Sequence, residues 1–244
     1  MKAAPEGIDS SLGLGDWFAT PLGTRVLREE QALARATLDD VFGFELLQVG
    51  ACGPARHLLE GARTQHASLV AAECSPGATL RAPLTSLPFA SDAIDAIVLP
   101  HTLELVEDPY AVLREAERVL CAEGCLMIYG FNPFSGWGAG RLLARHARHR
   151  LFPPQSRRLL SERRLRDWVA LLGFDVDSVQ GYLGALPLAG SLSAAPRPRR
   201  PLWAGAYLLK ARKRLPTLTL LRPRLRTRQR VRVGAAEPTT KVGP

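Results

Sequence analysis

Apolar and polar positions alternate along this chain in two rhythms, and the switches between them outline its elements. From 26 to 41, Val26, Leu27, Leu33, Ala34, Leu38 and Val41 fall near helical spacing with charges between them, which predicts an amphipathic helix. The run ELLQV at 45–49 then reads as a buried strand that stops at Gly50, and ARHLLEGA at 55–62 returns to a helical pattern. ASLVAAE at 67–73 predicts a second strand. IDAIVLP at 94–100 predicts a third, because the run is β-branched, too short for a core helix and closed by proline. In EDPYAVLREAERVLCAEG, Asp108 can cap free amides, Pro109 suits the first helical position, and Val112, Leu113, Ala116, Val119 and Leu120 line one face. Gly124 ends that helix and CLMIYGF at 125–131 reads as the next strand. Ser161 caps a helix over 161–172 that Gly173 stops, with strands following at 174–179 and 204–211. The Pro-, Gly- and Ser-rich stretch at 184–201 reads as a long exposed loop.

Strands alternating with helices at this spacing imply parallel crossovers and a doubly wound α/β sheet, in which ligands bind beyond the carboxyl ends of the strands. The turn at Gly50, the acid at Glu73 and the segment after Leu99 are thereby expected along one edge. No repeat of fixed period argues for a solenoid or propeller.

Composition narrows the classes. With 244 residues, 46% hydrophobic and 23% charged, the chain suits one globular domain with tails. The expected division is an N-terminal extension over 1–25, the domain over 26–214 and a basic tail over 215–244. No apolar stretch is long enough to span a bilayer, and the first residues carry no signal-like apolar region, so a cytoplasmic protein is expected. The four cysteines form no CxxC pair, which argues against a zinc or disulfide framework, and no metal is expected. Net charge is +9, with nine basic residues and no acidic one between Arg212 and Arg232. Such a run reads either as a solvated tail or as a strip that neutralises phosphates on a nucleic acid or another anion. It contains no aromatic residue to stack on bases.

Two features could carry chemistry. Gly50-x-x-Gly53 after a strand lets backbone amides approach an anionic group, although a tight turn in a core reads the same way. Glu73, at the end of the second strand, could accept hydrogen bonds from two ribose hydroxyls or face water.

The stretch 84–128 carries more information, through Leu87-Pro88-Phe89, Asp92, Ile94-Asp95, Asp108-Pro109, Leu113, Glu115, Arg118-Val119-Leu120 and Gly124. This order of motifs resembles the class I S-adenosylmethionine-dependent methyltransferases, type 11 branch, from about 40 to 212. The resemblance implies a Rossmann-like, seven-stranded, mostly parallel sheet with an antiparallel C-terminal hairpin. It also implies S-adenosylmethionine as cofactor, with its methionine end at Gly50, Ala51 and Gly53, its ribose at Glu73 and its adenine beside Leu84 and Thr85. Leu99, Pro100 and His101 would border the reactive methyl group, with His101 as the candidate base and Glu104 and Asn132 as substrate-facing residues. Asn132, Phe134 and Trp137 could form a lid over the acceptor. Asn132-Pro133 follows the fifth strand of that plan and not the fourth, so it does not stand where the Asn-Pro-Pro-Tyr motif of amine methyltransferases lies.

The chain departs from the family at Gln48, where an acid is usual; at Cys52 and Pro54, where glycines are usual; and at Pro83, where the adenine-binding acid would stand. Only about ten residues separate Glu73 from that point, too few for a crossover helix, so a trimmed sheet edge is expected. The leading expectation is a methyltransferase acting on a small-molecule acceptor. Beside it stand a non-catalytic module that contacts nucleic acid or another anion through its tail, and an RNA methyltransferase. Oligomeric state is not legible.

Overall fold

A computed structural model of the chain describes residues 17–53, 56–72, 75, 77–136, 138, 139, 158–183, 204–214 and 243. Seven strands form one sheet: β1 (Glu45–Val49), β2 (His66–Ala71), β3 (Leu80–Arg81), β4 (Ile94–Pro100), β5 (Leu120–Phe131), β6 (Phe174–Tyr182) and β7 (Ala206–Lys213). Their spatial order is β3-β2-β1-β4-β5-β7-β6. The first five pair in parallel, while β7 runs antiparallel between β5 and β6, as the expected C-terminal hairpin requires. Strand order reverses between β1 and β4, the position where doubly wound sheets hold ligands.

Helix α1 (Pro21–Leu38) covers one face of the sheet. Thr20 caps it by accepting from the Gly23 amide at 3.1 Å, and Pro21 occupies the first turn, where a missing N–H costs nothing. Val26, Leu33, Ala34 and Leu38 pack with Trp17 and Phe18 against Leu46, Val98, Met127 and Leu208. Trp17 and Phe18, which lie within the expected N-terminal extension, are core residues of this layer.

The other face carries α3 (Pro109–Val119) and α4 (Glu162–Leu171), after the single turn α2 (Thr102–Leu105). Val112, Leu113, Ala116, Leu165 and Val169 pack there on Leu47, Val49, Ile97, Leu99 and Leu126. Strand residues alternate between the two layers, Leu46 and Val98 to one side and Leu47, Ile97 and Leu99 to the other, as the period of two demands. The Leu87-Pro88-Phe89 motif is a fastening: Glu115 Oε1 accepts from the Leu87 amide at 2.6 Å, while Arg118 donates to the carbonyls of Leu87 and Phe89 at 3.1 and 3.0 Å.

The helix expected over 55–62 does not form. Arg56 and Gly61 take positive φ (64° and 88°), and residues 56–61 make consecutive turns, because left-handed residues at both ends cannot continue an α-helix. At the sheet edge β3 is only two residues long, and no helix separates it from β2 among the described residues, as the short spacing anticipates. β5 starts at Leu120, five residues earlier than expected, because α3 gives way directly to extended backbone there.

Candidate active site

The crest of β1 and the crest of β4 are tied together by one side chain. Thr102, in the turn after β4, donates from Oγ1 to the Val49 carbonyl at 2.6 Å. Gly50 then turns with φ +95°, and its amide continues the ladder to the Val70 carbonyl at 2.8 Å. A Cβ on Gly50 would lie 2.5 Å from Thr102 Oγ1, so Thr102 occupies the space directly over this glycine. Gly53, at φ +71°, approaches α1 in the same way: a Cβ there would lie 2.6 Å from Leu27 Cδ2. Both glycines are therefore required by neighbouring protein and by backbone conformation.

What the turn offers a ligand is its main chain. Among the described residues, nothing accepts from the N–H groups of Ala51, Cys52 or Gly53. Gln48, fully buried, donates from Nε2 to the Gly50 carbonyl at 3.1 Å, while its Oε1 has no partner among the described residues. The turn thus presents consecutive donors with a buried amide oxygen just before them.

Beside this turn lies a buried polar cluster. His101, in left-handed conformation with φ 51°, places Nε2 2.7 Å from Glu30 Oε1 and Nδ1 3.3 Å from Glu104 Oε2. Carboxylates only accept, so both ring nitrogens carry protons and the ring is an imidazolium. Burial would lower its pKa, but the charge of Glu30 and the hydrogen bonds it donates to Glu104 and Glu30 override that and hold it at about 10. Phe131 stacks on the ring with centroids 4.2 Å apart, an arrangement that favours a cation. Glu104 Oε1 accepts from the Phe131 amide at 2.6 Å, and Tyr182 donates to Glu30 Oε1 at 2.8 Å. Cys52 links cluster and turn: burial, then the charges of Glu30 and Glu104, push its thiol well above the ordinary value.

The expected site residues are distributed as follows. Gly50, Ala51 and Gly53 lie on the β1 crest, with Pro100, His101 and Glu104 on or just after β4 beside it. Leu99 sends its side chain into the opposite core layer, as does Leu84, while Thr85 next to it is exposed. Both nitrogens of His101 are taken, so it has no lone pair with which to act as a base. Asn132 donates from its carboxamide to the Ala204 carbonyl, just before β7, at 3.0 Å and accepts from the Phe134 amide of its own turn at 2.9 Å. Phe134 is 73% exposed. Glu73, Trp137, the 184–201 loop and residues 215–242 of the tail lie outside the described residues. No group of metal-ligating side chains occurs among the described residues, and none of their helices is long and apolar enough to cross a membrane.

Sequence reasoning missed Glu30, Tyr129 and Tyr182. Glu30 had a visible signal: Val26, Glu30, Ala34 and Leu38 recur at four-residue spacing, so a carboxylate stands in the apolar stripe of α1. The tyrosines had none.

Residues 47–128 match the family described as a methyltransferase domain. The uncharacterized protein YafS of Escherichia coli is 31% identical over 225 residues, spanning 92% of this chain and 91% of YafS. Among solved structures, an S-adenosylmethionine-dependent methyltransferase of Thermotoga maritima superposes with a TM-score of 0.58 at 19% identity, covering 82% of this chain and 93% of the other. One from Mesorhizobium loti gives 0.53 at 19%, covering 76% and 98%. These two likenesses are of fold.

Proposed function

This chain belongs to the class I S-adenosylmethionine-dependent methyltransferases, and from that premise we propose that it methylates a small-molecule acceptor held between α1 and the crests of β1 and β4. S-adenosylmethionine is its cofactor, and the residues present fit it. The observation that carries the reading is the row of amides at Ala51, Cys52 and Gly53, next to Gln48 Oε1, all without a partner among the described residues. A carboxylate needs donors and an ammonium needs an acceptor, which are the two ends of an amino acid's polar head. Gln48 serves where the family usually has an acid, as a neutral acceptor fixed by its own bond to Gly50.

When bound, the cofactor supplies a methyl group on a sulfonium, an electrophile with a good leaving group. The protein's part is alignment and exclusion of water. Thr102 locks the β4 crest against β1, and the imidazolium of His101 braces α1, the turn after β4 and the end of β5 through Glu30 and Glu104. His101 and Glu104 are assigned here as positioning residues, and Asn132 as the residue that shapes the turn after β5. Glu73 is assigned to the ribose, and Leu84 and Thr85 to the adenine, on the resemblance of the sequence.

Calorimetric titration with S-adenosylmethionine and S-adenosylhomocysteine tests the reading. Binding in the micromolar range is expected, weakened about tenfold or more in Glu73→Ala through loss of charge-assisted hydrogen bonds. A chain that binds neither compound at millimolar concentration is not a working methyltransferase.

A further inference from the structure

The layer between α1 and the sheet contains polar atoms that its own packing does not use. Glu30 Oε1 takes two donors, His101 Nε2 and the Tyr182 hydroxyl, yet Glu30 Oε2 is buried with no partner among the described residues. The Tyr129 hydroxyl, on the neighbouring strand, is likewise buried and unpartnered, and so is Trp17 Nε1. Tyr129 feels Glu30 directly, since burial and then the charge of that carboxylate push its phenol up. The surrounding surface is aromatic: Tyr182 stands edge-on to Tyr129 with centroids 6.3 Å apart, and Trp17 edge-on to Phe131 at 6.0 Å. Buried groups of this kind are normally satisfied, so their concentration on one face of one site points to a ligand that brings the missing partners.

Resting on the reading above, we propose that the acceptor is an amine, whose N–H groups donate to Glu30 Oε2 and whose nitrogen lies within reach of the Tyr129 hydroxyl. The charge inventory chooses the class. Among the described residues two carboxylates, Glu30 and Glu104, face one imidazolium, His101, so these three groups together carry a net negative charge. A carboxylate or phenolate acceptor would add a second negative charge to a buried site that already has one, whereas an amine adds none. The amine reacts as its free base. The nitrogen lone pair then forms the new N–C bond as the C–S bond breaks with its pair left on sulfur, and the positive charge moves from sulfur to nitrogen. Charge is conserved throughout, and the site faces a cation before and after transfer, so its electrostatics need no reorganisation. Aromatic walls suit the same ligand, because ring faces attract ammonium groups.

The test uses the full chain saturated with S-adenosylhomocysteine and titrated with matched pairs of opposite charge, benzylamine against benzoate and propylamine against propionate. The amines are expected to bind and the carboxylates not, and mass spectrometry is expected to find the amines methylated when S-adenosylmethionine is supplied. Tyr129→Phe removes only an unpartnered hydroxyl, so it is expected to leave the urea midpoint in place while weakening amine binding about tenfold, the size of one hydrogen bond. Glu30→Gln is expected to weaken it further, and the Tyr129 variant keeps the test decisive if that chain fails to fold. Carboxylates binding in place of amines, neither class binding to a chain that holds S-adenosylhomocysteine, or an unchanged amine affinity in Tyr129→Phe would each overturn the proposal. A chain that does not bind S-adenosylhomocysteine overturns the methyltransferase reading itself, which is a different result.

Discussion

Replacing His101 with glutamine should change how stability depends on pH, by an amount the structure sets. The imidazolium is held at about 10 by Glu30 and Glu104 against burial, compared with 6.5 in an unfolded chain. At about 1.4 kcal/mol per pH unit, that gap corresponds to roughly 5 kcal/mol. The group's folded value is raised, so its contribution is complete below about pH 6.5, declines as pH rises and is gone above about pH 10. The ring is 1% exposed and its partners 0% and 2%, so solvent offers little screening. Urea unfolding of the wild type between about pH 6.5 and 9 should therefore lose about 1.4 kcal/mol per pH unit more than His101→Gln, which has no proton to release there. Glutamine can donate to only one of the two buried carboxylates, and this variant should also be less stable at about pH 6.5 by several kcal/mol. If it does not fold, proton NMR on the wild type settles the point, since the His101 ring should keep its imidazolium shift from about pH 5.5 to 8.5. A ring that titrates near 6.5 in the folded protein, or equal pH slopes in the two chains, would refute the assignment of a buried cation.

Gly50→Ala should destabilise the chain by about 2–4 kcal/mol, since it combines φ +95° with a Cβ 2.5 Å from Thr102 Oγ1. Adding Thr102→Ala should recover the steric part and leave the conformational part, a non-additivity that a double-mutant cycle in urea would read. Asp108→Ala should cost about 1 kcal/mol, because Asp108 Oδ1 accepts from the Ala111 amide at 3.0 Å at the start of α3; thermal melting of the two chains would show it.

Much of the fold was legible because its signals are local. β1 and β4 fall at their expected bounds, and the cap and proline at the start of α3 were readable from Asp108-Pro109, since each depends only on residues a few positions apart. The failed helix over 55–62 shows the limit of that reading. Its apolar spacing was helical, but Leu58 and Leu59 are buried equally well from a chain of turns pinned by left-handed Arg56 and Gly61. The glycine turn stands where the sequence put it, but its glycines are required by Thr102 and Leu27, which fill the space beside them, as well as by backbone conformation.

The amino-acid order alone determined most of the strands and helices and that the sheet is doubly wound with a short edge. Periodicity and capping are properties of neighbours in the chain, so they survive without a structure. The identity of the charged centre is different in kind. Glu30 meets His101 across 71 residues and Tyr182 across 152, and no pattern along the chain encodes such meetings. Packing α1 over the crest brought these groups together, and the carboxylates of Glu30 and Glu104, acting against burial, are what make His101 a cation rather than a base.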